Sequence, residues 1–282
     1  MQQCFPFAQF WESHILKNTD PKLKYKCLCW LRQGVKIQDF LKPHTCDTYK
    51  GIELNSTLLA PRQFNNHVQP KHISWVSQEI TNLLEYGVIK KWKDCPQSIS
   101  SSRPHIIHPL QVKEQSDKNR LIYDAQYLKN CFMSPPSFTM EGVSKLPQQG
   151  WANMYMTVID HKNGYFHIGL DKNSWTFFGL CWEDTDYVYT TLCFGWSPSA
   201  FIDTTFTELI ADYTRNLTLT LAITWLDDTL TTNSIHCQHK STQTQLDSAN
   251  HVCCILCMVL FKAGYFINIG KSIFTLHKNC RF

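Results

Sequence analysis

LTLTLAITWLDDTLTT, residues 217–232, is the stretch that decides the fold. From Leu217 to Trp225, bulky apolar residues alternate with threonine or alanine, which is the period of a β-strand with one buried face. This predicted strand leads into Asp227-Asp228, and residues 229–232 are predicted to return as the second strand of a hairpin. Two neighbouring carboxylates at a hairpin tip repel each other, and a bound divalent cation would offset that repulsion. Aspartate is also common in ordinary turns, so the pair alone leaves both interpretations open.

The composition of the 282-residue chain is 43% hydrophobic, 13% aromatic and 18% charged, which excludes a fibrous or a disordered protein. A net charge of +4 permits a polyanionic partner without requiring one. The thirteen cysteines are odd in number, and the N-terminus MQQCFP lacks the features of a secretory signal peptide. We therefore expect reduced thiols and an intracellular location, cytoplasmic or nuclear. The longest apolar run, residues 252–261, is too short to cross a membrane, so no membrane partner is expected.

Hydrophobic periodicity predicts a chain of mixed helices and strands. A helix over residues 74–86 is followed by Gly87, a residue typical of the position just past a helix end. Two further helices are predicted over residues 200–213 and 251–262, with a polar loop over residues 233–250. The predicted strands cover residues 105–112, 120–123, 157–160, 175–182 and 187–193.

The predicted hairpin of residues 105–123 carries a cluster of basic side chains, Lys113, Lys118 and Arg120, at or beside its polar turn. The simplest interpretation is a solvated hairpin tip. The functional interpretation is a clamp for phosphate groups, because a guanidinium can engage two phosphate oxygens at once. The hairpin by itself does not decide between them.

A segment rich in cysteine and histidine raises a further hypothesis, that of a zinc module. Its spacings match no common ligand pattern, and cysteines at positions 253, 254 and 257 suit the core of a helix. Core thiols are therefore the favoured interpretation. The residues concerned are His236, Cys237, His239, His251, Cys253, Cys254 and Cys257.

A third carboxylate, Asp160, ends the predicted strand of residues 157–160 and precedes Asp227 by 67 residues. Three carboxylates brought together from neighbouring strand ends can hold two hard cations through oxygen ligands. Such a site suits phosphoryl transfer, because one ion lowers the pKa of an attacking hydroxyl while the other stabilises the leaving oxygen.

The order of these motifs resembles that of reverse transcriptases over roughly residues 72–276, most closely the DIRS-like retrotransposon group, whose members carry a tyrosine recombinase. The resemblance implies an α+β fold with reverse-transcriptase palm and fingers, an antiparallel palm sheet backed by helices, and a largely absent thumb. It implies an N-terminal extension of unclear role at residues 1–70, fingers at 71–150, and a palm with the start of the palm–thumb connection at 151–282. The segments that carry it are PHIIHPLQV, KNRLIYD, TVIDHKNGYFHI, WTFFGLCW, YVYTTLCFGWSPSAF, TWLDD and LFKAGYFINIGKSIF.

The resemblance also implies the chemistry of the site. Asp160, Asp227 and Asp228 would be the catalytic carboxylates and the metal ligands, with the backbone carbonyl of His161 near the metal. The cofactor would be Mg²⁺, with Mn²⁺ as the alternative.

Further positions would handle the nucleotide. Lys113 and Arg120 would contact the triphosphate of an incoming deoxynucleotide from the fingers. Tyr165 would be the steric gate, its ring lying where a ribose 2′-hydroxyl would otherwise fit. Three more residues are implied near the nucleotide or the templating pair, namely Gly195, Trp196 and Lys271.

The implied function is RNA-directed DNA polymerisation for a retroelement, with an RNA or DNA template, a primer and deoxynucleoside triphosphates as partners. Other domains of the element's polyprotein would be further partners. Three departures from the family pattern keep a second hypothesis open, that of an impaired or inactive remnant that serves at most as a nucleic-acid-binding module. Trp225 replaces the usual Tyr or Phe, and Ser199-Ala200 replaces the usual Ala-Pro. In the segment Ala125–Asn130, the Arg that usually follows the aspartate is lost and the Asn is shifted.

Overall fold

The computed structural model describes residues 7–40, 64–66, 68–116, 118–129, 154–237 and 239–277. The end of the variant segment 125–130 and much of the predicted fingers after residue 129 lie outside these described residues. The chain divides into two compact units, and each is assembled from separate segments. The first comprises Met1–Gln3, Cys29–Pro136 and Ile168–Ser199, and the second Cys4–Leu28, Ser137–His167 and Ala200–Phe282. The fingers and palm boundaries given above stay a prediction.

The described chain contains both α-helices and mainly antiparallel sheets, which confirms the predicted α+β class. The α-helices are α1 Ala8–Phe10, α2 Pro21–Gln33, α3 Pro70–Glu85, α4 Gln126–Lys129, α5 Ser197–Thr218 and α6 Thr242–Ala263. The strands are β1 Ile89–Lys91, β2 Ile107–His108, β3 Leu110–Glu114, β4 Asn119–Tyr123, β5 Met156–Asp160, β6 Gly179–Trp182, β7 Thr185–Tyr189, β8 Ala222–Trp225, β9 Asp228–Thr232 and β10 Ile273–His277.

The first unit contains a four-stranded sheet in the order β1-β7-β6-β2 and a separate antiparallel hairpin, β3–β4. The predicted strand 105–112 is interrupted at Pro109, between β2 and β3, because proline has no N–H to donate to a strand ladder. Helix α3 begins earlier than the periodicity indicates, since Pro70 suits the first helical position. It ends just before Gly87, whose φ of +68° favours glycine.

The second unit contains an antiparallel sheet in the order β10-β5-β9-β8, and α6 packs against β5, β9 and β10. The predicted return strand at residues 229–232 is confirmed by β9. The predicted loop at 233–250 is wrong over its second half, because α6 already begins at Thr242. There the Ser241 hydroxyl caps the helix by accepting a hydrogen bond from the Thr244 N–H at 3.2 Å.

The strand predicted to start at Leu217 is also a wrong prediction. Helix α5 continues to Thr218 and ends where Leu219 adopts a left-handed conformation with φ of +52°. Leu217 and Leu219 are 52% and 50% exposed, so their alternation does not mark a buried strand face. The actual strand β8 is short, and its residues Ala222 to Thr224 are buried on both faces.

A segment near the N-terminus supplies part of the core of the second unit. Trp11 lies in a π-helical turn after α1 and is fully buried. Its indole N–H donates a 3.0 Å hydrogen bond to the carbonyl of Ala263, and its ring packs edge-on against Phe206 at 5.1 Å. Trp11 is therefore a core residue of this unit.

Helix α6 is the one helix of the described chain that is long and apolar enough, by length and composition, to cross a membrane. Its side that carries Val252, Leu256 and Leu260 is buried, and the helix packs against the sheet of the second unit. This packing is what is expected of a core helix.

Candidate active site

The three predicted carboxylates meet at one end of the sheet of the second unit. In the pairing of β5 with β9, Asp160 lies opposite Asp228. The β8–β9 hairpin pairs Trp225 with Asp228, so Leu226 and Asp227 form a two-residue tip. The backbone N–H of His161 donates to the carbonyl of Asp227, which ties this tip to the end of β5. Sheet register therefore brings together residues that are 67 positions apart in the sequence.

The electrostatics of this cluster are those of crowded like charges. Burial, followed by the charges of Asp160 and Asp228, raises the pKa of Asp227 to about 6. Burial and the charge of Asp160 also raise the pKa of Asp228. The Lys271 ammonium opposes both shifts, and its Nζ lies 3.9 Å from Asp160 Oδ2. Such a cluster favours the binding of a cation.

The side chains fit a hard divalent cation by chemistry, since carboxylate oxygens are its preferred ligands. The positions of these side chains do not yet form a complete coordination site. Within the described residues, no three His, Cys, Asp or Glu side chains are placed to hold one ion. One oxygen of Asp227, Oδ1, is buried and turned inward, where a Cβ added to Gly164 would lie 2.5 Å from it. The same finding covers the described part of the His- and Cys-rich segment 236–257, which gives no support to the zinc module.

Tyr165 lies in a short 3₁₀ turn, Gly164–His167, that follows β5 and its terminal residue Asp160. Burial and the nearby carboxylates Asp203 and Asp227 raise the pKa of the Tyr165 phenol to about 12, so it remains a neutral hydroxyl at physiological pH. The Tyr165 side chain is half-buried, near enough to Asp203 and Asp227 to be affected by their charges. Its role as the steric gate stays a prediction.

Two neutral histidines hold the backbone around the site. His167 Nε2 accepts a hydrogen bond from the Phe266 N–H at 3.1 Å, so Nδ1 carries the proton and donates to the Gly164 carbonyl at 3.0 Å. Burial lowers the pKa of His167 to about 4, and burial together with His167 lowers that of His161 to about 3. The His161 ring hydrogen-bonds the Thr229 hydroxyl on β9 at 3.0 Å.

Asp203 is a fourth carboxyl group at the site that the sequence reasoning missed. It lies on α5 and is fully buried, and the Tyr265 hydroxyl donates to its Oδ1 at 3.2 Å. Burial and the charge of Asp227 raise its pKa well above the usual range. The sequence contained one signal for it: Asp203 lies three residues before Phe206, on the apolar face of a helix. Aspartate is rarely buried at such a position unless it has a specific partner or function.

In the first unit, the basic hairpin has the predicted form. Lys113 and Arg120 lie directly opposite each other on β3 and β4, and both are exposed. Like charges in this cross-strand position repel each other, which favours the binding of an anion between them. The hairpin is anchored beside them, because Glu114 pairs with Lys71 Nζ and His72 Nε2 at 2.8 Å each.

Gly195 and Trp196 form a tight turn in the first unit. Gly195 has φ of +94°, and a Cβ there would lie 2.3 Å from the carbonyl oxygen of Tyr123, so only glycine fits. The Trp196 ring is 3% exposed and packs edge-on against Phe40 and Phe178. The ring therefore packs beneath the turn, and the role of Gly195 and Trp196 in seating the templating pair stays a prediction.

Comparison with known proteins supports the fold but not a sequence family. No protein-family model matches the chain, and no curated protein matches it. Among solved structures, a foamy viral protease-reverse transcriptase (dRH) in complex with double-stranded DNA matches 95% of the chain with 18% identity and a TM-score of 0.60. The same viral protein with an RNA/DNA hybrid gives 95% coverage, 18% identity and a TM-score of 0.58, and native prototype foamy virus protease-reverse transcriptase gives 96%, 15% and 0.56.

These likenesses show that the chain has the reverse-transcriptase fold predicted from its motifs. The chain spans 44%, 33% and 34% of the length of those three structures, respectively. It is thus similar to less than half of each of them.

Proposed function

We propose that this chain is the fingers-and-palm part of an RNA-directed DNA polymerase of a retroelement, which adds deoxynucleotides to a primer by two-metal phosphoryl transfer. The observation that carries the proposal is the meeting of Asp160, Asp227 and Asp228 at one end of a sheet within the reverse-transcriptase fold. The motif order further supports a DIRS-like retrotransposon as the source. The viral structures, at 15–18% identity, do not distinguish this group from other reverse transcriptases.

In the proposed mechanism, the three carboxylates and the His161 carbonyl would hold Mg²⁺ or Mn²⁺, and the bound ion would supply activation of the primer hydroxyl and charge neutralisation at the leaving group. Until a cation is bound, Lys271 offsets part of the negative charge beside Asp160. The ring of Tyr165 excludes the ribose 2′-hydroxyl, while Lys113 and Arg120 bind the triphosphate.

The foamy viral proteins are described in complexes with double-stranded DNA and with an RNA/DNA hybrid. For this chain we propose a primer on an RNA or DNA template as the nucleic-acid partner and deoxynucleoside triphosphates as substrates. Other domains of the element's polyprotein would add contacts to the duplex. An intracellular site of action, cytoplasmic or nuclear, follows from the reduced thiols that the composition predicts.

A primer-extension assay tests the proposal. The purified chain is given an RNA template, a DNA primer and deoxynucleotides with Mg²⁺ or Mn²⁺, and a parallel reaction contains EDTA. Extension that EDTA abolishes is the expected result. Salt-dependent binding of the RNA–DNA hybrid without extension at any metal concentration would reject polymerisation. It would favour instead the nucleic-acid-binding remnant. Two observations support that alternative: no three side chains in the described residues are placed to hold one ion, and Trp225 replaces the usual Tyr or Phe.

The paired basic residues of the hairpin give a first prediction. Lys113→Ala and Arg120→Ala are each expected to raise KM for the deoxynucleotide about tenfold, because each removes a charged hydrogen-bond donor to phosphate. Neither change should lower the free energy of unfolding, since each also relieves repulsion between opposite strand positions. Steady-state kinetics and urea denaturation measure the two effects. Lys118→Ala is the matched control, because Lys118 is an exposed lysine in the same hairpin. An equal rise in KM in this control would show that the effect comes from the overall positive charge of the hairpin and not from specific phosphate contacts.

Discrimination between sugars gives a second prediction. Tyr165→Ala is expected to increase ribonucleotide use relative to deoxynucleotide use by about tenfold or more, because the space for a 2′-hydroxyl opens. The ratio of kcat/KM for the two nucleotides measures it. Tyr165→Phe keeps the ring and should keep the wild-type ratio. If Tyr165→Ala also keeps it, the ring is not the gate.

The raised pKa of Asp227 gives a third prediction. Its folded-state pKa of about 6 exceeds the ordinary aspartate value of 3.8, so this group favours the folded state at low pH, and its contribution is lost as the pH rises through about 6. A cation requires the ionised carboxylate. The increase in Tm produced by Mg²⁺ is therefore expected to be small at about pH 5 and larger at about pH 7.5. Thermal denaturation with and without Mg²⁺ measures it, and an increase in Tm that is the same at both pH values would contradict it.

A further inference from the structure

The buried side chain of His72 connects helix α3 to both strands of the basic hairpin β3–β4. It is 7% exposed, and both of its ring nitrogens are used. Nε2 donates to Glu114 Oε1 on β3 at 2.8 Å, and Nδ1 accepts from the Asn119 amide N–H on β4 at 3.4 Å. An imidazole with one protonated nitrogen donates through it and accepts through the other, which matches both contacts. A single side chain therefore joins the two strands from the side of the helix.

The two residues that His72 contacts are neighbours of the basic pair in the hairpin. Glu114 lies opposite Asn119, and the next pair along the ladder is Lys113 opposite Arg120. Successive side chains of a strand point to opposite faces. The contacts with His72 thus occupy one face of the hairpin and the two basic side chains occupy the other. A contact that fixes the first face also fixes the direction of the second.

Glu114 is a charged acceptor in this contact. Hydrogen bonds from Lys71 and then His72 lower the pKa of Glu114 below its usual value, and Lys71 Nζ lies 2.8 Å from the same Oε1. Both donors belong to the first turn of α3. They hold the carboxylate on the helix side of the hairpin, where it does not compete with an anion for the basic pair.

The base of the hairpin is anchored separately. The Asn65 side chain accepts from the Leu110 N–H at 2.9 Å and donates to the Cys181 carbonyl on β6 at 2.8 Å, which links β3 to the four-stranded sheet. The hairpin is thus held at its base by Asn65 and near its turn by His72. Loss of the second contact would leave the base in place and free the end that carries the basic pair.

We propose that His72 is a positioning residue for the triphosphate of the incoming deoxynucleotide, because it fixes the end of the hairpin from which Lys113 and Arg120 reach that group. This inference rests on the proposed polymerase function and deepens it, since it assigns the ordering of the phosphate clamp to a residue on the opposite face of the hairpin. A clamp that is ordered before binding loses less conformational freedom when the anion binds. His72 thus acts on nucleotide affinity and not on the chemical step.

Two substitutions separate this role from packing. His72→Leu keeps an apolar side chain of similar size and removes both hydrogen bonds, whereas His72→Gln keeps one donor for Glu114 and one acceptor for Asn119. His72→Leu is expected to raise KM for the deoxynucleotide about tenfold, with kcat within about twofold of wild type. His72→Gln should stay within about threefold of the wild-type KM. Gln78→Ala is the matched control and should leave KM unchanged, because Gln78 is exposed on α3 and bonds to Asn82 of the same helix.

The effect must also depend on the basic pair. In the background Lys113→Ala with Arg120→Ala, His72→Leu is expected to change KM by less than about twofold, because the groups that it positions are gone. Asn119→Ala breaks one of the two contacts without replacing a buried side chain, and it should raise KM about threefold. This variant decides the inference if urea denaturation shows that His72→Leu does not fold.

Inorganic tripolyphosphate measures the clamp without any chemistry. Its dissociation constant, measured by calorimetry on the full-length chain without nucleic acid, should also rise about tenfold in His72→Leu. An unchanged dissociation constant in that variant, an equal rise in KM in His72→Gln, or a full rise in KM in the background that lacks the basic pair would each overturn the inference.

The same measurements distinguish failure of the inference from failure of the polymerase. Tripolyphosphate binding that weakens in His72→Leu, in a wild type that extends no primer, would sustain the positioning role and reject the polymerase. Primer extension with the same KM in wild type and His72→Leu would reject the positioning role and leave the polymerase in place. A wild type that neither binds tripolyphosphate nor extends a primer would reject both.

Discussion

Asp227→Asn is expected to lower primer extension about a thousandfold, which corresponds to about 4 kcal/mol in the activation free energy. The substitution keeps the size of the side chain but removes a negative charge and one anionic ligand from the cluster with Asp160 and Asp228. The stability of the metal-free protein should change in the opposite direction. Burial and neighbouring carboxylates penalise the ionised Asp227 side chain, so the Asn variant should unfold at a higher temperature near neutral pH.

Single-nucleotide incorporation on an RNA template and thermal denaturation without metal measure the two effects on the same preparation. Asp247→Asn serves as the matched control, because Asp247 is exposed on α6 and bonds only to Gln243 among the contacts described for it. We expect this control to leave both activity and Tm unchanged. Equal incorporation by wild type and Asp227→Asn would show that Asp227 at the hairpin tip has no catalytic role.

Trp11→Ala is expected to reduce the free energy of unfolding by about 3–5 kcal/mol. The substitution empties a fully buried site against Phe206 and leaves the carbonyl of Ala263 without the indole hydrogen bond. Trp11→Phe keeps most of the packing and loses the hydrogen bond, so it should destabilise the protein by about 1–3 kcal/mol.

Urea denaturation followed by circular dichroism measures these changes. Phe261→Ala on α6 is the matched control: its ring is 67% exposed, and its removal should change the free energy of unfolding by less than about 0.5 kcal/mol. If Trp11→Ala has as little effect as this control, the N-terminal segment is not part of the core of the second unit.

The strand ends at the candidate site were predicted correctly because they depend on local pattern. A β-branched run that ends in Asp160, and an aspartate pair followed by Thr229–Thr232 in extended form, indicate two strand ends, and antiparallel pairing then brings those ends together. The basic hairpin is similar, because Lys113 and Arg120 flank a turn whose length fixes their register.

The parts that could not be predicted depend on distant partners. The alternation at Leu217 and Leu219 has a strand period, but a helix that begins at Ser197 continues through Leu217 and ends at Leu219. Local pattern cannot tell a helix end from a strand start over so few residues. Asp203 lies on an apolar helix face, yet its environment comes from Tyr265 and Gly164, which lie far away in the sequence. The same holds for Trp11, whose hydrogen-bond acceptor is 252 residues further along the chain.

The interleaving of the two units sets an order for folding during synthesis. All segments of the first unit have been made once Ser199 has left the ribosome, whereas the second unit needs β8, β9, α6 and β10 as well. Trp11 therefore remains without its Phe206 and Ala263 partners until most of the chain has been translated. Contacts of such long sequence separation form slowly and expose apolar surface in the meantime. The second unit, which holds the candidate active site, is thus the part of this protein most dependent on protection of the nascent chain.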